Sequence, residues 1–373
     1  MNRDDLQKLI ARSLKRQGFR IDGDVIVPPI SAEKDQLRKL HATATRHRID
    51  DAEASLRVSE TDLLSFIANG KDVEPSSISP ILIQVENSGT ESELFRYAGL
   101  HWSIPISSGY GRRLRFLVVD NNNAKLIGII GLADPVFSLA ARDQWIGWNQ
   151  DDRRDRLQHV MDAFVLGAVP PYSMLLGGKL VAMLAASNEV RSAFCKKYRG
   201  HKALISRKEN DGRLALITTT SALGRSSIYN RLRYEGRLLY EPVGFTRGSG
   251  DFHFSNGLYG TISDYVQRYC EPTAKNEQWG TGFRNRREVI RKCLAKIGLS
   301  SGWAYHGVQR EVFVIPLARN TKQFLLGHHS RLYWHAQSAD DLFAHFRERW
   351  MLPRAAWDRS YFDFSRESYR LWR

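Results

Sequence analysis

The sequence predicts a mixed α/β protein: a central sheet flanked by helices, with helical material ahead of it and a basic α/β segment behind it. Three observations carry that expectation. Two apolar runs, Leu114–Asp120 and Lys125–Leu132, flank Asn121-Asn122-Asn123, a polar triplet suited to a hairpin turn. Segments with apolar residues at helical spacing lie on both sides of them. The 373 residues are 42% hydrophobic and 25% charged, ordinary for a folded protein with ample material for a core.

The first segment, 1–74, reads as helical. Asp4 and Asp5 occupy a first turn, Leu6, Leu9, Ile10 and Leu14 form a stripe, and Gly18 stops it. A second helix carries Leu37 and Leu40 behind Ser31, and a third begins at Ser59 with Leu63, Leu64, Phe66 and Ile67. His41 to Arg48 between them reads as a polar, basic surface strip. Pro75 to Pro80, rich in Ser, reads as a linker.

The core, 75–257, opens with a short strand at Ile81–Val85 and a capping box, Thr90-x-x-Glu93, ahead of a helix through Tyr97. After the hairpin, Leu157, Val160, Met161, Phe164 and Val165 fall at i, i+3, i+4, i+7, i+8, which predicts a helix ended by Pro170-Pro171. Gly177-Gly178 opens a further helix to about Tyr198. Arg213–Thr220 and Leu238–Val243 are strands around a short helix at 226–232. The last segment, 258–373, alternates helices at 258–269, 284–297 and 338–350 with one strand, Val312–Leu317.

Charge limits the function classes. The net charge is +15, and residues 281–373 hold 17 Lys/Arg against 8 Asp/Glu together with five of the nine Trp. Arginine both pairs with phosphate and stacks on rings, so this is the footprint of a polyanion binder. No window approaches a membrane span, and the acidic start Met1-Asn2-Arg3-Asp4-Asp5 is unlike a secretory signal. Cys195, Cys270 and Cys293 form no disulfide or CxxC pattern, so a reducing cytoplasm is expected.

Several constellations suit chemistry. In Gly244-Phe-Thr-Arg-Gly-Ser-Gly-Asp-Phe-His-Phe-Ser-Asn-Gly257 the glycines permit close backbone approach to a ligand. Thr246, Arg247 and Ser249 suit phosphate, and Phe252 and Phe254 suit base stacking. Asp251 and His253 alternate, so an extended strand would present both on one face, as a base with its orienter or as two ligands of a metal. Asp143, beside Arg142 and ahead of Trp145 and Trp148, is a catalytic candidate or half of a structural clamp. Gly177-Gly178-Lys179 at a helix start suits a phosphate through Lys179. In the tail, Arg284, Arg286, Arg287, Arg349 and Trp350 suit tracking of a nucleic-acid backbone with stacking. No ligand spacing supports a metal site, despite His328, His329 and His335.

The order of hairpin, helix, Pro-Pro and Gly-Gly loop, helix, strand, Tyr-bearing helix and Gly-Phe strand resembles the acyl-CoA N-acyltransferase (GNAT-like) core. More narrowly, Arg142-Asp-Gln-Trp-Ile-Gly-Trp148, Arg153-Arg154, Ser227-Ile-Tyr-Asn230 and Gly244-Phe-Thr-Arg-Gly248 resemble the DruA family, over roughly 114–250. That resemblance implies a role in Druantia anti-phage defence, nucleic acid nearby and other proteins of the defence system as partners; related domains are fused to transposases. The acyltransferase resemblance places Tyr229 where that fold often keeps an acid or a cofactor-contacting Tyr, and a packing role is the other reading. The acyltransferase pyrophosphate signature is broken, since Met174 stands at its leading polar position and Lys179 at its closing small one. Acyl-CoA is therefore not expected as cofactor.

Three readings follow. The first is a nucleic-acid-binding defence component, with DNA ahead of RNA. The second is a nuclease-like enzyme using Asp143, Asp251, His253 and Tyr229, which would add a divalent cation. The third is an N-acyltransferase.

Overall fold

A computed structural model describes residues 1–29, 34–106, 111–202, 208–255, 257–273, 282–283 and 285–372. Helix α1 (Arg3–Arg16) is capped by Asn2 and buries Leu6, Ile10 and Leu14; Gly18, at φ +93°, turns the chain out of it. A small hairpin follows, β1 (Arg20–Asp22) and β2 (Val25–Val27), then α2 (Lys34–Leu56) and α3 (Glu60–Leu64). Ser31 lies outside the described residues.

The central unit runs β3 (Pro80–Gln84), α4 (Thr90–Leu100), β4 (Arg113–Asp120), β5 (Lys125–Ala133), α5 (Ala140–Ile146), α6 (Gln150–Arg156) and β6 (Val160–Ala168). It continues through α7 (Gly177–Leu184), α8 (Asn188–Tyr198), β7 (Leu216–Thr220), a small hairpin of β8 (Arg233–Tyr234) and β9 (Arg237–Leu238), and β10 (Glu241–Phe245). The rest comprises α9 (Leu258–Tyr269), α10 (Arg286–Ile297), β11 (Glu311–Pro316), α11 (Thr321–Leu325), α12 (Ala339–Phe346) and α13 (Leu352–Trp357). No helix among the described residues is long and apolar enough to cross a membrane.

Seven strands form one sheet in the order β10-β11-β7-β6-β5-β4-β3. Every neighbouring pair is antiparallel except β6 and β7, which run parallel from Val160/Leu216 to Ala163/Thr219. One face buries Met161, Ile217 and Phe313 against α7, α8 and α12. The other holds Val160, Leu216 and Val314 under Ile146, Trp148 and Phe324, and α3 and α4 cover its far end together with Tyr369 and Trp372. A separate cluster packs α1, α2, α9 and α10 around Phe254.

Four expectations are corrected. Residues 157–165 are not a helix: after a single turn at Leu157–His159 the chain enters β6, whose side chains alternate in burial. With β5 on one side and β7 on the other, backbone pairing on both edges outweighs an apolar pattern that fits either period. The strip from His41 lies inside α2, where His41 and Ala44 are buried. Pro75 to Pro80 is not a linker but a short 3-10 turn, anchored by the buried Pro75 and Ile78, that leads into β3. The capping box at Thr90 does not form, because Gly89 is the N-cap and Thr90 is already helical. The strand of the C-terminal segment, β11, lies between β7 and β10, so that segment completes the central sheet.

Candidate nucleic-acid interface

The glycine-rich loop leaves β10 and folds onto the segment that leads into β11. Thr246 and Arg310 exchange bonds, from Thr246 N to Arg310 O at 2.8 Å and from Arg310 N to Thr246 Oγ1 at 3.1 Å. Gly248, at φ +68°, accepts from Gly307 N at 3.0 Å. A Cβ there would meet the Gly307 carbonyl carbon at 2.6 Å, so the close approach it permits is to the chain's own backbone, not to a ligand.

Helix α10 stands beside this loop. Asn285 caps it by accepting from Glu288 N, and Val289, Ile290, Leu294 and Ile297 anchor its inner face. Its outer face carries Arg286, Arg287 and Arg291. Arg286 pairs with Asp251 at 2.9 Å, donates to Ser255 Oγ and stacks on Tyr259. Arg287 donates to Ser249 O at 3.2 Å, and Arg291 to Tyr305 Oη at 3.2 Å. Ser249, Arg287, Arg291 and Tyr305 thus border one notch, and Tyr305 is 43% exposed. Arg247, two residues before Ser249 in the chain, is exposed, with no ion-pair partner among the described residues. Arg284 lies outside the described residues.

A second basic cluster forms on the α7 side. Lys179 and Arg349 both lie over the Trp350 ring, at 5.2 and 5.4 Å from its centroid. Burial lowers the Lys179 pKa, and the like charges of Arg231 and Arg349 lower it further. Distant segments are brought together here, and Arg231 is a member that sequence reasoning missed. Other tail cations are spent: Arg354 on Asp358 at 2.5 Å and Arg370 on Glu60 and Glu367.

The catalytic candidates are not gathered. His253 is fully buried on a 3-10 turn (Phe252–Phe254), not on an extended strand, so the shared face expected for Asp251 and His253 does not form. Its Nε2 bonds Trp303 O at 3.1 Å, its Nδ1 is buried without a partner, and burial lowers its pKa to about 4. Asp251 is occupied by Arg286. Asp143 is buried and saturated, by Arg142 at 2.6 Å, Arg153 at 3.2 Å and Leu139 N at 3.1 Å. Arg142, at 0% exposure, also donates to Val136 O and Phe137 O. Tyr229 sits across the sheet, stacked on Tyr240 and edge-on to Phe313; burial raises its phenol pKa to about 12, partly offset by Thr219.

Asp162 was not singled out by its sequence context, although an acid within Val160-Met-Asp-Ala-Phe-Val is a visible anomaly. It accepts from Thr218 Oγ1 at 2.6 Å, and burial raises its pKa to about 6, against the hydroxyl and Arg142. No group of three or more His, Cys, Asp or Glu among the described residues is placed to hold a metal ion.

The acyl-CoA test at α7 is negative. The Gly177 and Lys179 amides donate to Tyr172 O and Leu176 O. A Cβ on Gly177 would sit 2.6 Å from Tyr172 O, so this glycine serves packing. Arg354 Nε binds Met174 O from outside. These residues do not fit a pyrophosphate.

Fold and surface define a mixed α/β protein with basic, aromatic-bearing patches. Comparison with known proteins makes the family explicit: the model of the Druantia protein DruA matches residues 31–327. The chain is also 39% identical to the Druantia protein DruA of Escherichia coli (strain UMEA 4076-1) over 370 residues, 99% of this chain and 89% of that protein. It belongs to the family of DruA, a component of the Druantia anti-phage defence system. No solved structure matches.

Proposed function

We propose that this chain is a nucleic-acid-binding component of a cytoplasmic anti-phage system, contacting DNA ahead of RNA and acting with other Druantia proteins. The observation that carries the reading is the convergence of Arg287 and Arg291 beside Ser249 and the exposed ring of Tyr305, with the exposed Arg247 two residues before Ser249 in the chain. Guanidiniums supply the phosphate contacts, and Tyr305 and Trp350 offer stacking surfaces. The Lys179–Arg231–Arg349 cluster is a second contact. The strand order, four antiparallel strands followed by two helices and a strand parallel to the fourth, supports a GNAT-like scaffold reused as a platform.

The test is a salt titration of binding to labelled single- and double-stranded DNA and RNA. The reading expects affinity to fall steeply with salt, DNA to bind more tightly than RNA, and R287E/R291E to weaken binding at least about tenfold. Unchanged binding by that variant, or no binding by the native chain, overturns it.

A further inference from the structure

Away from both patches, α8 and the strand-like segment after α11 enclose an open groove of about 450 Å³. Its lining includes Arg191, Arg199, Arg213, Arg331 and Trp334 against a single carboxylate, Asp211. Asp211 is committed: it pairs with Arg213 and lies 3.5 Å from His159. Arg213 is held in place by Ser330 O at 2.5 Å and by the Phe324 ring beneath it. Arg191 lies 4.3 Å from the centroid of Trp334, yet its Nη1 is buried with no hydrogen-bond acceptor. Arg199 and Arg331 are exposed at the rim, with no ion-pair partner among the described residues.

Arg191, Arg199 and Arg331 line the groove with no ion pair among the described residues, so their charge is available to a phosphate. The volume suits a small molecule, and fixed guanidiniums beside an indole match the two halves of a nucleotide. We propose that this groove is a nucleotide site, in which Arg191, Arg199 and Arg331 take phosphate oxygens and the base stacks against Trp334. Arg213 is a positioning residue that keeps Asp211 from neutralising the groove. The same chemistry is offered by a free nucleotide or by one unit of a bound strand. The site shares no residue with the loop–α10 surface, so it stands independently of the function proposed above.

The test measures binding of ATP, of inorganic phosphate and of a 15-residue oligo-dT to the full chain, R199E/R331E, W334A and R287E/R291E. The rim variant changes only exposed side chains, so an unchanged melting temperature serves as its folding control. ATP binding lost at least about tenfold in R199E/R331E, and weakened in W334A, establishes a free-nucleotide site. No ATP binding, with oligonucleotide binding lost in R199E/R331E, assigns the groove to one unit of a strand. Phosphate binding as tightly as ATP and indifferent to W334A overturns the stacking half. If no probe responds to R199E/R331E, the site is overturned, whether or not R287E/R291E has lost the oligonucleotide. Loss of ATP binding in R199E/R331E with no oligonucleotide binding by the native chain would keep this site and reject the function proposed above.

Discussion

Two arginine-rich regions of this molecule use the same chemistry to opposite ends. Under α5, Arg142 is wholly buried and spends its guanidinium on Asp143 and two carbonyls, while Asp143 also takes Arg153. Beside the glycine-rich loop, Arg287 and Arg291 make single hydrogen bonds to the chain at the surface and Arg247 makes no ion pair among the described residues. Burial forces every donor to find an acceptor from within the protein, so the first region is structural. Exposure lets water satisfy the second until a phosphate replaces it, so its positive charge remains available.

The largest effect that would sharpen this contrast is on folding. Arg142→Ala opens a cavity and leaves the buried Asp143 carboxylate with only Arg153 and Leu139 N, and is expected to cost about 3–5 kcal/mol in chemical denaturation. A normally stable Arg142→Ala protein would end the structural reading of the pair.

The histidine cluster around Phe252 tests the interior by pH. Burial lowers the pKa of His41 to about 3, His253 to about 4 and His306 to about 2, with Arg310 adding to the first and the neighbouring histidine and arginines to the last. The unfolded chain binds protons below an ordinary histidine value of about 6.5, while the folded chain refuses them. Their stability contribution is therefore complete above about pH 6.5 and is lost as pH falls toward the folded values. Asp162 has the opposite sign: its raised pKa favours the folded state on the acid side, and that gain fades as pH rises through about 6. Denaturation at pH 7 and pH 5 is expected to differ by a few kcal/mol in favour of pH 7. Equal stability at the two values would place these rings in contact with solvent.

A smaller change probes the loop's backbone. Gly248→Ala, at a positive φ and against Gly307, is expected to cost about 1–3 kcal/mol and to displace Ser249 from Arg287. Nucleic-acid affinity should fall in parallel; retained affinity would separate the loop from the interface. The smallest effect is at Arg247. Arg247→Ala should leave stability within about 0.5 kcal/mol of native and lower the salt slope of DNA binding by about 0.9, one phosphate contact. A changed melting temperature with an unchanged slope would mark Arg247 as structural.

Much of the secondary structure was legible. The hairpin of β4 and β5, helix α9 and strand β11 appear within one or two residues of their expected places, because long apolar runs with a turn triplet, or a single amphipathic stripe, admit one local solution. The cations Arg286, Arg287, Lys179 and Arg349, and the ring of Trp350, were each visible in the sequence. Their assortment was not: Arg286 is consumed by Asp251, Lys179 meets Trp350 across 171 residues, Arg231 comes close to Lys179, and Arg291 reaches Tyr305.

The sequence by itself determined a mixed α/β chain with a strongly basic end and a family signature, since composition and local periodicity are properties of residues near one another. Only the tertiary structure decided that 160–168 is a strand, because two neighbouring edges supply hydrogen bonds that no local helix could match in that place. Only it decided which charges are buried in pairs and which remain for a ligand, because desolvation depends on what the whole fold lays over each side chain.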